Sequence, residues 1–513
     1  MWARIDSADI RTVIHYLGTL LVFIGFTMFA PLLLALLAGE RGPAYDFAFA
    51  AGLTVLLGIV MRFARIRPPD IDRRQALIVT GLIWIVASLA AAIPLYLSGH
   101  FLSYVDALFE AVSGYTDTGS VLVQDLDHMA DSHNLWRFIL QLVGGQGIIV
   151  IALGMGFFAR FSGSGALYSA EGRSDRIVPR LADTARFIAG ISAVFVGTGT
   201  LALTIVGMTI GLPLARALFH GFTVTISAFH TGGFSPMSTS FIYYHSAAYE
   251  IVAMIIMLSG MFSFALYVYA MLKGPKEFLK DIEVRTIAVW IAIVLAILIA
   301  TMARDPWMPD IVTTVRRGLF MVVSAASNTG FTVLHTEQLG SLMLPGTLFA
   351  LILAMAMGGA TSSTTGGIKA LRVGIVFKAI LAEMRTTLSP PTARSSTRYE
   401  HMGSRIVDKQ EVSSAMSIFL LFIFMYIGAA LVGVAYGYEP LHALFESVAV
   451  TSNAGLTSGV VTASMPEGLK FVYIFAMLAG RLEFMALLTA LAGIVVSVRG
   501  TIDRKVARRG ADG

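Results

Sequence analysis

The chain contains no cysteine. That excludes a disulfide framework, a thiolate nucleophile and any cysteine-ligated metal. Charge is scarce too: Asp, Glu, Lys and Arg make up 13% of the 513 residues, while 56% are apolar. A soluble domain carries about 25% charge, so composition places this chain among polytopic membrane proteins. No stretch between apolar runs is long enough to hold a core of its own. The ten histidines are scattered. No His-Glu-x-x-His motif and no paired-aspartate motif occurs, so an intramembrane enzyme is only a remote alternative. The net charge of +5 is small, and no nucleic-acid interface is expected from it. The first residues, MWARIDSADIRTVIHY, mix both signs and lack a small-residue cleavage site before a short apolar run. A removable signal peptide is therefore not expected.

What the chain has in abundance is apolar segments. They fall near 13–37, 47–60, 76–97, 138–159, 185–210, 248–272, 287–302, 342–376, 414–436 and 471–498. A membrane-spanning helix needs about 20 apolar residues, and stretches of about 10–14 are more often re-entrant or interfacial. Four such short stretches stand at 104–112, 214–226, 312–323 and 441–450. Lys and Arg gather on one side. They include Arg62, Arg65, Arg67, Arg73 and Arg74, then Arg160, Arg173, Arg176 and Arg180, then Lys273, Lys276 and Lys280. The loop 386–410 and the tail 501–513 continue the pattern. The positive-inside rule then puts both termini in the cytoplasm. The opposite loops hold Asp125, Asp127, Asp131, Glu337, Glu439 and Glu467.

Each short apolar stretch leads into a polar motif. The four read SGYTDTGS (113–120), SAFHTGGFS (227–235), SAASNTGFT (324–332) and AVTSNAGLT (449–457). Their shared glycines are Gly119, Gly233, Gly330 and Gly455. In lipid every backbone polar group must be satisfied, so such motifs have to lie in protein or line water. Four loops around one axis could present main-chain carbonyls as a ring of oxygens for a dehydrated cation. Glycine allows the unusual φ/ψ that turns a carbonyl inward. The C-terminus of the preceding short helix adds partial negative charge. The expected fold is all-α and polytopic: four pseudo-symmetric units of helix, pore helix and helix around a central pore, plus two extra N-terminal helices.

Beyond the loops, the chain carries VGGQGIIVIALGM (143–155), MGGATSSTTGGIKALR (357–372) and GRLEFMALL (480–488). Together with FEAVSGYTDTG, ISAFHTGGF, SNTGF and FESVAVTSNAG, these make the chain resemble the Trk/Ktr/HKT superfamily of potassium transport subunits. It is most similar to the bacterial TrkH/TrkG branch, whose two extra leading spans it shares. The resemblance implies potassium uptake across the bacterial cytoplasmic membrane by a homodimer. It implies a cytosolic RCK-type, TrkA-like subunit that binds the regulatory nucleotide, with no cofactor on this chain and K⁺ as the transported ion. A Na⁺-coupled or Na⁺-permeable KtrB/HKT-like transporter is the alternative. The division expected on this basis is 1–70 for the extra helix pair, 71–165, 180–280, 281–385 and 411–500 for the repeats, 386–410 for a cytoplasmic loop and 501–513 for a basic tail.

Carried over position by position, the ion ligands fall on Asp117, Thr118 and Gly119; Thr231, Gly232 and Gly233; Asn328, Thr329 and Gly330; and Asn453, Ala454 and Gly455. Two positions depart from the family pattern. Asp117 stands where threonine is usual, and His230 where asparagine is usual. His230 is a candidate pH modulator or a neutral cap of its helix. Asp117 is expected to turn from the axis, since a carboxylate facing K⁺ would hold it too long for fast conduction.

Below the ring, the run Gly358, Gly359, Ala360, Thr361, Ser362, Ser363, Thr364, Thr365, Gly366 and Gly367 is poor in helix formers and lies inside an apolar segment. A broken span is tolerated where it lines a cavity, so this run is a candidate gate, with Lys369 beside it. Arg481 interrupts the last apolar segment. Intramembrane charge faces a partner or a water-filled path. Arg481 is expected either to raise a barrier to cations or to pair with a neighbouring carboxylate or carbonyl.

Overall fold

Nearly all regular structure is helical, as a chain in lipid requires: a helix satisfies its own backbone groups. The structure is a computed structural model that describes residues 7–64, 71–148, 150, 152, 181–305, 308–390, 397–484 and 486–492. The end of the first repeat at 153–165, the basic residues Arg65, Arg67, Arg160, Arg173, Arg176 and Arg180, the end of the last apolar segment and the tail 501–513 lie outside the described residues.

A leading helical pair comes first. Helix α1 (Ser7–Thr27) runs on into α2 (Phe29–Ala38), and α3 (Arg41–Arg62) returns against α1. Small residues let these backbones approach closely: a Cβ built on Gly18 would sit 2.6 Å from the carbonyl oxygen of Gly58. A three-part unit then recurs. Its first copy is α4 (Arg73–Leu97), α5 (Tyr104–Tyr115) and α6 (Asp131–Gln146). The second is α7 (Leu181–Thr209), α8 (Leu214–Phe229) and α9 (Ala247–Gly260), extended by α10 (Phe264–Lys273) and α11 (Pro275–Lys280). The third is α12 (Ile282–Met302), α13 (Ile311–Ala326) and α14 (Pro345–Ala356), followed after a gap by α15 (Ala370–Leu388). The fourth is α16 (Lys409–Ala435), α17 (Pro440–Thr451), α18 (Glu467–Arg481) and α19 (Ala486–Ala492). A small hairpin, β1 (Arg398–Glu400) with β2 (Ser404–Ile406), sits between the last two copies.

Outer and inner helices behave differently. Among the described residues, the helical stretches long and apolar enough to cross a membrane are Asp9–Ala38, Arg41–Arg62, Arg74–Leu97, Thr184–Thr209, Ile282–Met302 and Lys409–Ala435. These are the leading pair and the first helix of every repeat. The second helices are short or bent. The segment 248–272 reads as one apolar run, yet α9 and α10 meet at 89°. The reason is packing. A Cβ on Gly260 would lie 2.2 Å from the carbonyl oxygen of Phe229 at the end of α8, so the inner helix passes against that helix end and turns there. Ser263 then caps the new helix, accepting the Ala265 N–H at 3.2 Å.

The short helices begin where the sequence supplies a start signal. The Ser103 and Asp310 side chains accept N–H groups of the first turn, and Pro440 occupies the first turn of α17. Their apolar faces bury in one large core that includes Phe109, Phe229, Phe320 and Phe445. The outward surface stays apolar, with Leu37, Phe63, Phe424 and Leu431 exposed as a lipid-facing surface requires. Two buried ion pairs join helices. Arg137 meets Glu110 at 2.8 Å, and Lys470 of the fourth repeat meets Asp106 of the first at 2.5 Å. Breaking such a pair would leave a buried charge uncompensated.

Candidate functional site: a closed ring of glycine loops and the segment below it

The four polar loops repeat one backbone conformation. Gly119, Gly233, Gly330 and Gly455 all have positive φ, at 84°, 76°, 92° and 62°. The residues two places earlier, Asp117, Thr231, Asn328 and Asn453, are left-handed as well, at 53° to 57°. Asn and Asp tolerate that region, whereas β-branched Thr231 does so only under strong constraint. The glycines meet their neighbours in cyclic order. A Cβ on Gly119 would fall 2.5 Å from the Gly232 oxygen, on Gly233 1.9 Å from the Thr329 oxygen, on Gly330 2.2 Å from the Ala454 oxygen, and on Gly455 2.0 Å from the Thr118 oxygen. The chain therefore closes a ring through its own four repeats. The carbonyl before each shared glycine faces the shared glycine of the preceding loop in that cycle.

The side chains brace this ring from behind. Asn328 donates to the Met355 carbonyl at 2.8 Å; Asn453 donates to Thr118 at 2.9 Å and to the Met477 carbonyl at 3.0 Å. Thr118 and Thr329 share hydroxyl hydrogen bonds with Thr116 and Ser327, each 2.7 Å. Gln141 donates to the Gly232 carbonyl at 2.6 Å. Two glutamates tie the strands leaving the ring to the short helices. Glu110 accepts the Leu122 N–H at 2.7 Å, and Glu446 accepts the Ser458 N–H at 2.7 Å. Both carboxylates lie in the Phe-Glu pairs of the first and fourth repeats; that shared pair is the signal by which they could have been found in the sequence.

On one side of the ring opens a vestibule of about 440 Å³, lined by all four shared glycines together with Asp125, Asp127 and Thr457. At its rim the Asp125 carboxylate, hydrogen-bonded to the exposed His128 at 2.6 Å, raises the imidazole pKa above its usual value. His230 does not face this space. It is fully buried at the end of α8. Its Nδ1 lies 2.9 Å from the Ile226 carbonyl, which can only accept, so that nitrogen carries the proton. Its Nε2 lies 3.5 Å from the amide nitrogen of Gln146.

On the other side lies the segment 358–367, where the structure has no helix. The second, third and fourth repeats hold it. The Ala360 N–H reaches the Met261 carbonyl at 2.8 Å; the Thr364 hydroxyl reaches the carbonyls of Phe229 at 3.1 Å and Gly260 at 2.9 Å. A Cβ on Gly366 would meet the Ser452 oxygen at 2.2 Å. The Thr361 N–H donates to Glu283 at 2.6 Å. Gly359 donates to Thr365, and Ser363 and Thr365 share a bond of 2.8 Å. Met357 and Ile368 form an isolated β-bridge, and a Cβ on Gly367 would lie 2.9 Å from the Gly358 nitrogen. Lys369 folds back on the Thr365 carbonyl at 2.5 Å.

Arg481 joins this segment to the first repeat. It donates to the Thr364 carbonyl at 2.5 Å and to the Gly144 carbonyl at 2.6 Å, and pairs with the Asp117 carboxylate at 3.0 Å. The two departures from the commonest pattern come together at Gly145, where a Cβ would lie 2.7 Å from His230 Cδ2 and 2.9 Å from Asp117 Oδ2; Asp117 also pairs with Arg481, and His230 ends α8. The space left among Ser362, Ser363, Thr365, Lys369, Arg481 and Glu483 is about 50 Å³, room for little more than a water or two. Glu483 is taken up by Arg372. Sequence reading gave no individual role to Gly144, Gly260 and Gly480, where a Cβ would strike the carbonyls of Tyr115, Phe229 and Thr451 at 1.8, 2.2 and 1.8 Å. Their matching placement one inner helix at a time was the signal.

Comparison with known proteins agrees over nearly the full length. Residues 47–497 match the model of the family TrkH, cation transport protein. The chain is 31% identical to the Trk system potassium uptake protein TrkH of Halomonas elongata, over 93% of this chain and 97% of that one. It is 29% identical to TrkG of Escherichia coli K12, covering 95% and 99%, and 30% identical to an uncharacterised cation transporter of Methanocaldococcus jannaschii, covering 95% and 97%. The crystal structure of the potassium transporter TrkH from Vibrio parahaemolyticus superposes with a TM-score of 0.78 at 25% identity, covering 93% of this chain and 98% of that one.

Proposed function

The chain belongs to the TrkH family of cation transport proteins, and from that premise we propose that it is the membrane subunit of a potassium uptake system. It is a multi-pass membrane protein. In this reading K⁺ enters from the vestibule, sheds water against the carbonyls of Thr118, Gly232, Thr329 and Ala454 and those beside them, and passes inward past segment 358–367. Backbone oxygens suit the task because they replace hydration without full charges, so the ion binds and still leaves. The ends of the four short helices direct partial negative charge at the same point. Segment 358–367 with Arg481 serves as the gate. Its cross-repeat hydrogen bonds hold it in place beside a space of only about 50 Å³, and their loosening would open the way inward.

The observation that carries this reading is the cyclic contact from Gly119 to Gly232, Gly233 to Thr329, Gly330 to Ala454 and Gly455 to Thr118. Assembly with a nucleotide-binding cytosolic subunit, a second copy of this chain, the bacterial inner membrane and cytoplasmic termini belong to the same proposal. The test is Rb⁺ or K⁺ uptake in cells stripped of their own potassium systems. The native chain should restore uptake and Gly233→Ser should abolish it at equal protein level. Equal uptake by both would overturn the reading.

A further inference from the structure

Away from the ring, the hairpin β1–β2 meets the start of α12. Asp281 caps that helix, its carboxylate accepting the Glu283 N–H at 2.9 Å. Glu283 follows in the first turn. His401 is the first residue of the hairpin's turn, held by its N–H on the Gly403 carbonyl at 2.8 Å. Asp281, Glu283 and His401 are all buried, at 1%, 0% and 4% exposure. His401 Nδ1 lies 3.2 Å from Asp281 Oδ2 and 3.9 Å from Glu283 Oε2. The ligating atoms of the three lie within 4.8 Å of one another.

The hydrogen bonds of the cluster are uneven. Asp281 Oδ2 also accepts the Met402 N–H at 3.1 Å, and Glu283 Oε1 accepts the Thr361 N–H at 2.6 Å. Glu283 Oε2 accepts none, although it is buried and points at the imidazole. An orphaned carboxylate oxygen in a dry site is costly. Two buried carboxylates call for positive charge. Burial opposes a proton on His401, yet the neighbouring Asp281 and Glu283 carboxylates hold its pKa above the usual value. The spacing also suits a metal. Bonds of about 2.0–2.2 Å to nitrogen and oxygen give ligand-to-ligand edges of about 3–3.5 Å; the two edges to His401 are 3.2 and 3.9 Å, and closing the third, which lies within 4.8 Å, takes a side-chain adjustment.

We propose that Asp281, Glu283 and His401 form a site for a first-row divalent transition metal, of the Zn²⁺ or Mn²⁺ class, that fastens the hairpin to the base of α12. The imidazole selects against Mg²⁺ and Ca²⁺, which take oxygen ligands. Water completes the coordination. Glu283 is bound on both sides: Oε2 turns to the metal while Oε1 holds the Thr361 N–H of segment 358–367. An ion here therefore braces that segment from the hairpin side.

The test uses the full-length protein in detergent, stripped with chelator and titrated with Zn²⁺ alone. One equivalent per chain should bind and raise the melting temperature, Mn²⁺ should compete, and Mg²⁺ should not. His401→Ala and Asp281→Asn should each weaken binding at least tenfold. Glu283→Gln keeps an acceptor for Thr361 and should fold, with the Zn²⁺-induced stabilisation lost. In the unmutated protein Zn²⁺ should protect His401, mapped by mass spectrometry, from diethyl pyrocarbonate. Failure of the native chain to bind Zn²⁺, or unchanged binding in His401→Ala together with no protection, overturns the proposal and leaves a protonated histidine bridging two carboxylates.

Discussion

The ring and the segment below it are built on opposite plans. At the ring four loops share one backbone, the same left-handed positions and the same neighbour contact, whatever their side chains. Below it nothing repeats: one repeat supplies segment 358–367, one supplies Arg481, and one supplies Asp117. The difference follows from the demands on each. On the proposed reading, an ion between four carbonyl groups needs equal fields from all sides, and a barrier needs one element that can move against the others. The two plans meet in the Asp117–Arg481 pair, where a ring residue holds a charge of the lower layer.

That comparison can be attacked at either end. The largest effect is expected at the ring. Gly455→Ala places a methyl 2.0 Å from the Thr118 oxygen and should reduce Rb⁺ uptake by about 100-fold or more, a barrier change of about 3 kcal/mol. Gly119→Ala, Gly233→Ala and Gly330→Ala should do the same. A corner that tolerated the methyl would break the equivalence. Next comes the asymmetric pair. Asp117→Asn leaves the Arg481 cation without its carboxylate and should slow flux in proteoliposomes by roughly tenfold, consistent with a buried pair coupled by about 1–3 kcal/mol. Arg481→Ala should raise basal flux, and the double variant should lie near Arg481→Ala. Purely additive effects would separate the two layers.

A smaller change is expected from Thr364→Val, which removes the hydroxyl that reaches Phe229 and Gly260. Losing such bonds costs about 1–2 kcal/mol, so flux with the gate at rest should rise several-fold while ion preference stays the same. The smallest is at the vestibule rim. The His128 pKa is raised by Asp125, so their contact is fully present below about pH 6.5 and is lost as pH rises through the raised value. The rim then becomes more negative, and uptake at low K⁺ should increase slightly in alkaline medium. The increase should vanish in His128→Gln and in high salt.

The ring was legible in the sequence because glycine spacing and motif shape survive where side chains vary. The non-helical run 358–367 was legible from composition, since glycine, serine and threonine at that density disfavour a helix. What escaped notice depended on contact between distant segments. Nothing near Asp117 in the chain announces Arg481. Nothing near Glu283, an ordinary first-turn acid, announces Thr361 or His401. The bends of the inner helices escaped because hydropathy reports how apolar a segment is and says nothing of its direction. The 248–272 run stays apolar across the turn at Met261–Ser263. His230 was singled out by its chemistry alone, and hydropathy gave no sign that it would be buried at the end of α8 with Nδ1 2.9 Å from the Ile226 carbonyl.

Because a single polypeptide closes the ring, its corners can drift apart. An assembly of four identical subunits changes any corner four times over, and four carboxylates at the position of Asp117 would crowd like charges into one small space. Here a single chain carries an acid at one corner while threonine and two asparagines occupy the others. Mutation can thus adjust the lower layer through a solitary residue, one step at a time, without disturbing the remaining three quarters of the ring.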